Sequence, residues 1–290
     1  MTWLGYALIS ALFSGLASIF EKRTLNRLHS IDFSAAIAFT TALITLPILF
    51  TSSWEKVTPL TLLIMFVISL FAAWAFISVT RGIRHMEISL SSPLFLLGPL
   101  ITTLLAFILL GERISSLQVT GMIILLLGTY ILETTHFMKV GEFWNNIWKN
   151  KYTQYILLGL ILYAFTAIGD RIILGTFGVP AALELAIVQC FIAIEFLFLT
   201  WHHRGSPIAS IKLVQTHWKS IILLALLMIT YRYFHALAIA LAAAGLVTAI
   251  KRSTSLFSTI IGGSLFHDHG IWRKTTACLI MLIGVYLIAM

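Results

Sequence analysis

Long apolar runs broken by short polar gaps recur from one end of the chain to the other. A helix needs about 20 predominantly apolar residues to cross a bilayer, and most of the runs approach that length. The pattern predicts helices at Thr2–Glu21, Phe33–Phe50, Leu60–Thr80, Ile88–Leu110 and Leu117–Leu132. It predicts five more at Tyr152–Leu174, Ala181–Trp201, Ser220–Ala240, Gly245–Phe266 and Trp272–Ala289. The long connectors are Glu133–Lys151 and His202–Lys219, and the first is the natural seam between two halves. The expected fold is therefore an all-α integral membrane protein of ten transmembrane helices.

Composition supports that reading. Apolar residues make up 59% of the 290 and charged residues 10%. A soluble domain carries about 25% charged residues, so this chain lacks the surface to face water as a globule. Ten spans leave no room for a separate soluble domain. The net charge of +8 is read as Lys and Arg anchoring loops at one membrane face, not as a nucleic-acid patch, which needs a polar domain to carry it. Cys190 and Cys278 fall inside apolar runs, where they serve as small packing residues. The first apolar run precedes Glu21, Lys22 and Arg23, with no basic stretch before it. That order argues for a membrane helix rather than a cleaved signal.

The halves read as a duplication. Leu125-Leu126-Leu127-Gly128-Thr129-Tyr130-Ile131 matches Met281-Leu282-Ile283-Gly284-Val285-Tyr286-Leu287. The same offset lays Leu100-Ile101-Thr102-Thr103 on Leu256-Phe257-Ser258-Thr259 and Gly111-Glu112 on His267-Asp268. Earlier in each half, Ser18-Ile19-Phe20-Glu21-Lys22 matches Ala167-Ile168-Gly169-Asp170-Arg171. The expected units are a five-helix repeat at 1–136, a connecting loop at 137–151 and a second repeat at 152–290. An odd number of spans per unit inverts the second in the membrane. Inverted repeats are a common plan of secondary transporters, which place substrate near the midplane.

With this plan, and with Leu109-Leu110-Gly111-Glu112-Arg113 ending helix four and Lys251-Arg252-Ser253-Thr254-Ser255-Leu256-Phe257 in helix nine, the chain resembles the EamA-type branch of the drug/metabolite transporter superfamily. The resemblance spans nearly the whole chain. The second half departs from the Gly-Glu pattern, having His267-Asp268 in its place. The resemblance implies the ten-helix fold and transport of amino acids, nucleotide sugars, sugar phosphates, choline-like solutes or drugs. Nucleotide-sugar and triose-phosphate carriers of this superfamily also hold basic residues late in the chain, and the Lys251-Arg252 pair resembles them.

Polar residues inside spans carry the chemistry. A charge at mid-helix costs about 2.5–3.5 kcal/mol on insertion scales, so it needs a partner or an aqueous cavity. Arg232 lies near the middle of helix eight, and Lys251 and Arg252 about two turns into helix nine. Thr248, Arg252, Ser255 and Thr259 share one face of helix nine by their spacing, and Tyr231, Arg232 and His235 form a polar patch on helix eight. A guanidinium fork suits carboxylate or phosphate, and Lys adds a point charge. Candidate substrate contacts are Arg232, Lys251, Arg252, Tyr231, Ser255 and Trp74, the last as a cavity-wall aromatic. Glu195 is the candidate ion-pair partner of Arg232. Glu21 and Asp170 stand at matching repeat positions, each followed by a basic residue, and are candidates for proton coupling. Glu21 is the better proton carrier and Asp170 the fixed counter-charge, because the cations lie in the second half. His202-His203 and His267-x-His269 read as loop histidines, and no metal or cofactor is expected.

The expected function is secondary transport of a small polar metabolite, anionic or zwitterionic, by alternating access through a central cavity. The alternatives are export of cationic or drug-like solutes and a membrane enzyme acting on a lipid phosphate. No nucleophile elbow or phosphate loop supports an enzyme. The expected partners are a small-molecule substrate, the bilayer and a proton or exchange substrate. With the N-terminus inside, cytoplasmic loops would hold three basic residues, Lys56, Arg113 and Arg171, against thirteen on the other side. The positive-inside rule therefore places both termini outside. The expected location is the inner membrane of a bacterial or archaeal cell.

Overall fold

The computed structural model describes residues 2–25, 30–85, 94–133, 150–204, 213–257 and 271–290. The described elements are helical, with no strand among them. In chain order they are α1 (Trp3–Leu25), α2 (Ser30–Thr51), α3 (Pro59–Arg84), α4 (Leu97–Leu110) and α5 (Ser116–Glu133). Then come α6 (Lys151–Arg171), a π-helical turn (Ile172–Thr176), α7 (Ala181–Arg204), α8 (Trp218–Leu241), α9 (Ala244–Lys251) and α10 (Ile271–Ala289). Six of them, α1, α2, α3, α6, α7 and α8, are long and apolar enough to cross a membrane, and α4, α5 and α10 are shorter apolar helices. Large apolar side chains point outward, among them Phe50 at 83% exposure and Phe198 at 74%. In water such a surface would aggregate; in hydrocarbon it is the favourable face. The chain is an integral membrane protein.

The chain forms two compact units, each drawing on both halves of the sequence. The first contains residues 1–73 and 169–241. In it α1 packs along α8 and α2 along α7. Small residues allow the approach: Ala35, Ala36, Ala38 and Ala42 of α2 are buried. Thr40, Thr41 and Thr45 share that helix and turn their hydroxyls back onto carbonyls one turn earlier, at 2.7–3.0 Å. This leaves no hydroxyl needing a partner across the interface. An apolar cluster of Ala17, Phe33, Ala36, Ile37, Ile221 and Leu224 fills the space between α1, α2 and α8. Ser10 of α1 donates to the backbone carbonyl of Tyr231 at 2.8 Å, fixing the register of α8.

The second unit contains residues 74–168 and 242–290. Here α5 packs along α10, and α9 packs on α4 and α5. A methyl group added at Gly128 would meet the Met281 nitrogen and the Ala277 carbonyl; one added at Gly284 would meet the Leu125 nitrogen and the Gly121 carbonyl. A shift of 156 residues turns the first set of contacts into the second. Gly245 of α9 lies so close to Thr103 of α4 that a methyl would overlap both its side chain and its backbone. Gly111 ends α4 in the left-handed region, at φ 66°, which a glycine adopts without steric cost. The Gly111 N–H returns to Phe107 and the Glu112 N–H to Ala106, closing the helix end.

Two expected helices are interrupted. The Gly245–Phe266 span breaks after Lys251. Arg252 stays helical at φ −65° and ψ −18°, but it and Ser253 bond back only three residues, to Ala249 and Ile250. The hydroxyl run that follows explains the step: Ser255 donates its side chain to the Arg252 carbonyl at 2.9 Å, competing with the backbone ladder. The Ile88–Leu110 span breaks at Leu96, at φ −68° and ψ −20°. Pro99 has no N–H to return to Phe95, so the ladder cannot continue through that turn. Leu96 and Arg252 are also related by the 156-residue shift. Residues 88–93 and 258–266 of the expected spans lie outside the described residues. In the sixth expected helix, Tyr152–Leu174, the α-helix ends at Arg171 and widens into the π turn.

Candidate functional site

The basic pair sits at the break in the second unit. Lys251 is the last residue of α9 and Arg252 caps it, so both cations lie where the helix dipole is negative. Both side chains are half-buried. The Arg252 guanidinium lies over the Phe95 ring, 5.8 Å from its centre. One of its terminal nitrogens lies 3.0 Å from the point a methyl would occupy at Gly98. Just past the break, the Ser253 and Thr254 hydroxyl oxygens are buried and meet no hydrogen-bond partner among the described residues. Ser253 is only 2% exposed. Buried hydroxyls are nearly always paired, and these two stand beside the two cations. Ser255 spends its hydroxyl on the Arg252 carbonyl instead.

At the other end of α9, Glu112 accepts a hydrogen bond from the Ala244 N–H at 3.0 Å. This gives the Gly111-Glu112 motif a physical meaning. The glycine closes α4, and the acid caps the first turn of α9, where the dipole favours a negative charge. His267 and Asp268, the counterparts of this motif, lie outside the described residues.

Arg232 belongs to the first unit. Its guanidinium donates to Gln189 of α7 at 2.8 Å. Glu195, six residues further along α7, accepts instead from Ser69 at 2.6 Å, and its second oxygen meets no partner among the described residues. The carboxyl beside Arg232 is Glu184, 5% exposed in the first turn of α7. Glu184 lies close to Asp170 and to Arg232. Asp170 thus meets a second acid rather than a cation alone. Arg171, next in sequence, donates to the Ile239 and Ala240 carbonyls at 3.0 and 2.8 Å, satisfying the C-terminus of α8.

The remaining candidates separate. Tyr231 packs against the apolar cluster of the first unit. Trp74 is 62% exposed. Glu21 falls in α1, but its side chain lies outside the described residues, as do His203, His267 and His269. No group of metal-ligating side chains occurs among the described residues. Sequence reasoning missed Gln189, Phe95 and Gly98. Gln189 carries no charge to draw notice. Phe95 was visible in principle, because the 156-residue shift lays it on Lys251.

Residues 1–134 match the EamA-like transporter family, which belongs to the drug/metabolite transporter superfamily. The family points to transport rather than catalysis. No curated protein matches the sequence. The crystal structure of another protein superposes on the chain with a TM-score of 0.74 at 13% identity, covering 98% of this chain and 95% of that one. That likeness speaks for the fold alone.

Proposed function

From a chain whose first 134 residues match the EamA-like transporter family, we propose a secondary transporter of small anionic or zwitterionic metabolites, built as two inverted five-helix repeats and working by alternating access. Two relations support the repeat: the Gly128 and Gly284 contacts interchange under one sequence shift, and the same shift relates the breaks at Leu96 and Arg252. Paired interruptions in corresponding helices are the usual pointer to a transporter's binding site.

The observation that carries the site is the break after Lys251, with Lys251 and Arg252 beside the Ser253 and Thr254 hydroxyls, which meet no partner among the described residues. In this reading the guanidinium grips a carboxylate or phosphate edge, the ammonium adds charge, and the hydroxyls complete the shell. Arg232 is a second candidate contact, held ready by Gln189. The closeness of Asp170 and Glu184 supports proton coupling, because two neighbouring carboxyls disfavour being ionised together. The positive-inside count supports both termini on the outer side of a bacterial or archaeal inner membrane.

The test is a thermal-shift screen of the purified protein against organic acids, phosphate esters, amino acids and amines. A ligand at one hundred times its dissociation constant adds about 2.7 kcal/mol. Stabilisation by acidic or zwitterionic members, lost in Arg252→Ala, supports the reading. Stabilisation by amines alone, unaffected by Arg252→Ala, replaces it with a carrier of cationic solutes.

A further inference from the structure

Arg252 is the strongest ligand candidate, yet an arginine on a flexible stem must be aimed before its fork becomes specific. Arg252 sits where α9 steps out of its regular ladder. The aiming comes from the other interrupted helix. Leu94 and Phe95 form the helical stub before the Leu96 break, and Gly98 lies in the first turn after it. The Phe95 ring lies under the guanidinium, 5.8 Å from centre to Cζ. Gly98 offers no side chain where one guanidinium nitrogen comes to lie, within 3.0 Å of its absent methyl. Phe95 is anchored in turn, packed on the buried cluster of Leu94, Ile156 and Leu160.

We propose that Phe95 and Gly98 form a cradle that holds the Arg252 guanidinium and presents its fork, and that this cradle sets the affinity of the site for carboxylate and phosphate groups. The proposal rests on the Arg252 reading above and adds to it the residues that position the group. The ring supplies an electron-rich face for the cation, and the glycine leaves the gap the fork occupies. A guanidinium already ordered loses less freedom on binding than a free one, so affinity is gained without a new contact to the ligand. The repeat shift makes the device one-sided. It lays Phe95 on Lys251, Leu96 on Arg252 and Gly98 on Thr254, so an aromatic cradle in one half faces the cations of the other.

The test uses the full-length protein in detergent, with thermal unfolding followed in inorganic phosphate and, separately, in succinate. Phe95→Leu should raise the half-saturating concentration of the stabilising anion about ten-fold, with only a small fall in the unfolding temperature without ligand. Phe95→Tyr, which keeps the ring face, should restore wild-type half-saturation. Gly98→Ala should weaken binding as Phe95→Leu does. A ligand-free double-mutant cycle on Phe95→Leu and Arg252→Ala should show non-additive unfolding temperatures. Half-saturation unchanged by Phe95→Leu, or strict additivity in the cycle, overturns the cradle. If Arg252→Ala leaves half-saturation unchanged, or neither anion stabilises wild type, the Arg252 site fails, and the cradle's role in affinity fails with it. If Arg252→Ala abolishes the effect and Phe95→Leu does not, the cradle alone fails.

Discussion

Gly284→Ala tests the close approach of α5 and α10. The new methyl carbon would stand 2.5 Å from the Leu125 nitrogen and 2.8 Å from the Gly121 carbonyl oxygen. Both are backbone atoms and cannot turn aside. Ordinary contact begins at 3.4 Å, so the helices must part by roughly 0.6–0.9 Å in a region packed like a crystal. Overpacking of this kind costs about 1–3 kcal/mol. Gly128→Ala meets the Met281 nitrogen at 2.9 Å and the Ala277 oxygen at 3.0 Å, a smaller overlap. Its cost should fall near the lower end, reduced further by the roughly 0.5–1 kcal/mol that alanine gains over glycine within a helix. Both changes push the same two helices apart, so the double variant should lose less than the sum of the two. Gly5→Ala is the control, its nearest neighbour being the Thr2 hydroxyl at 3.8 Å. The assay is thermal unfolding of a fluorescent fusion in detergent, read by size exclusion, where each kcal/mol moves the midpoint by about 2–4 °C. The expected order of midpoints is Gly5→Ala, then Gly128→Ala, then Gly284→Ala. A Gly284→Ala protein as stable as Gly5→Ala refutes the close approach and removes the main support for repeat symmetry in this unit.

Other outcomes follow from the same geometry. Arg252→Ala should weaken binding of the acidic ligand found by screening at least ten-fold, the loss of a charge-assisted hydrogen bond worth about 1.5–3 kcal/mol, measured by thermal shift. Arg252→Lys should recover only part of it, because an ammonium lacks the fork. Glu112→Ala should lower stability by about 0.5–2 kcal/mol by uncapping α9 at Ala244, with Glu112→Gln between the two, read from unfolding midpoints. Gly175→Ala should displace the Arg171 guanidinium, whose nitrogen lies 2.7 Å from the added methyl, and so expose amides near Ala240 to hydrogen exchange. In proteoliposomes loaded with a ligand from the screen, Glu184→Gln should abolish accumulation driven by a pH gradient while retaining exchange; full gradient-driven uptake would remove Asp170–Glu184 from coupling.

The sequence alone determined the solvent and the kind of structure. Apolar runs of spanning length with few charges allow only helices in a bilayer, where each backbone group must be satisfied within its own segment. The same logic singled out Arg232, Lys251 and Arg252, because an intramembrane cation is costly wherever it points. Matches between the halves at an offset of 156 residues were legible, as was the Gly111-Glu112 motif. The tertiary structure decided partners. Arg232 meets Gln189, and the acid beside it is Glu184, not Glu195, because contact depends on how helices are rotated against one another, which periodicity within one helix does not state. Hydropathy does not show the breaks: the one at Leu96 is owed to the missing N–H of Pro99, and the one at Arg252 to three-residue hydrogen bonds in place of four-residue ones. Phe95 and Gly98 read as ordinary membrane residues until folding set Arg252 against them. What a single helix needs is written along the chain, and what its neighbour supplies becomes visible only when the two are packed.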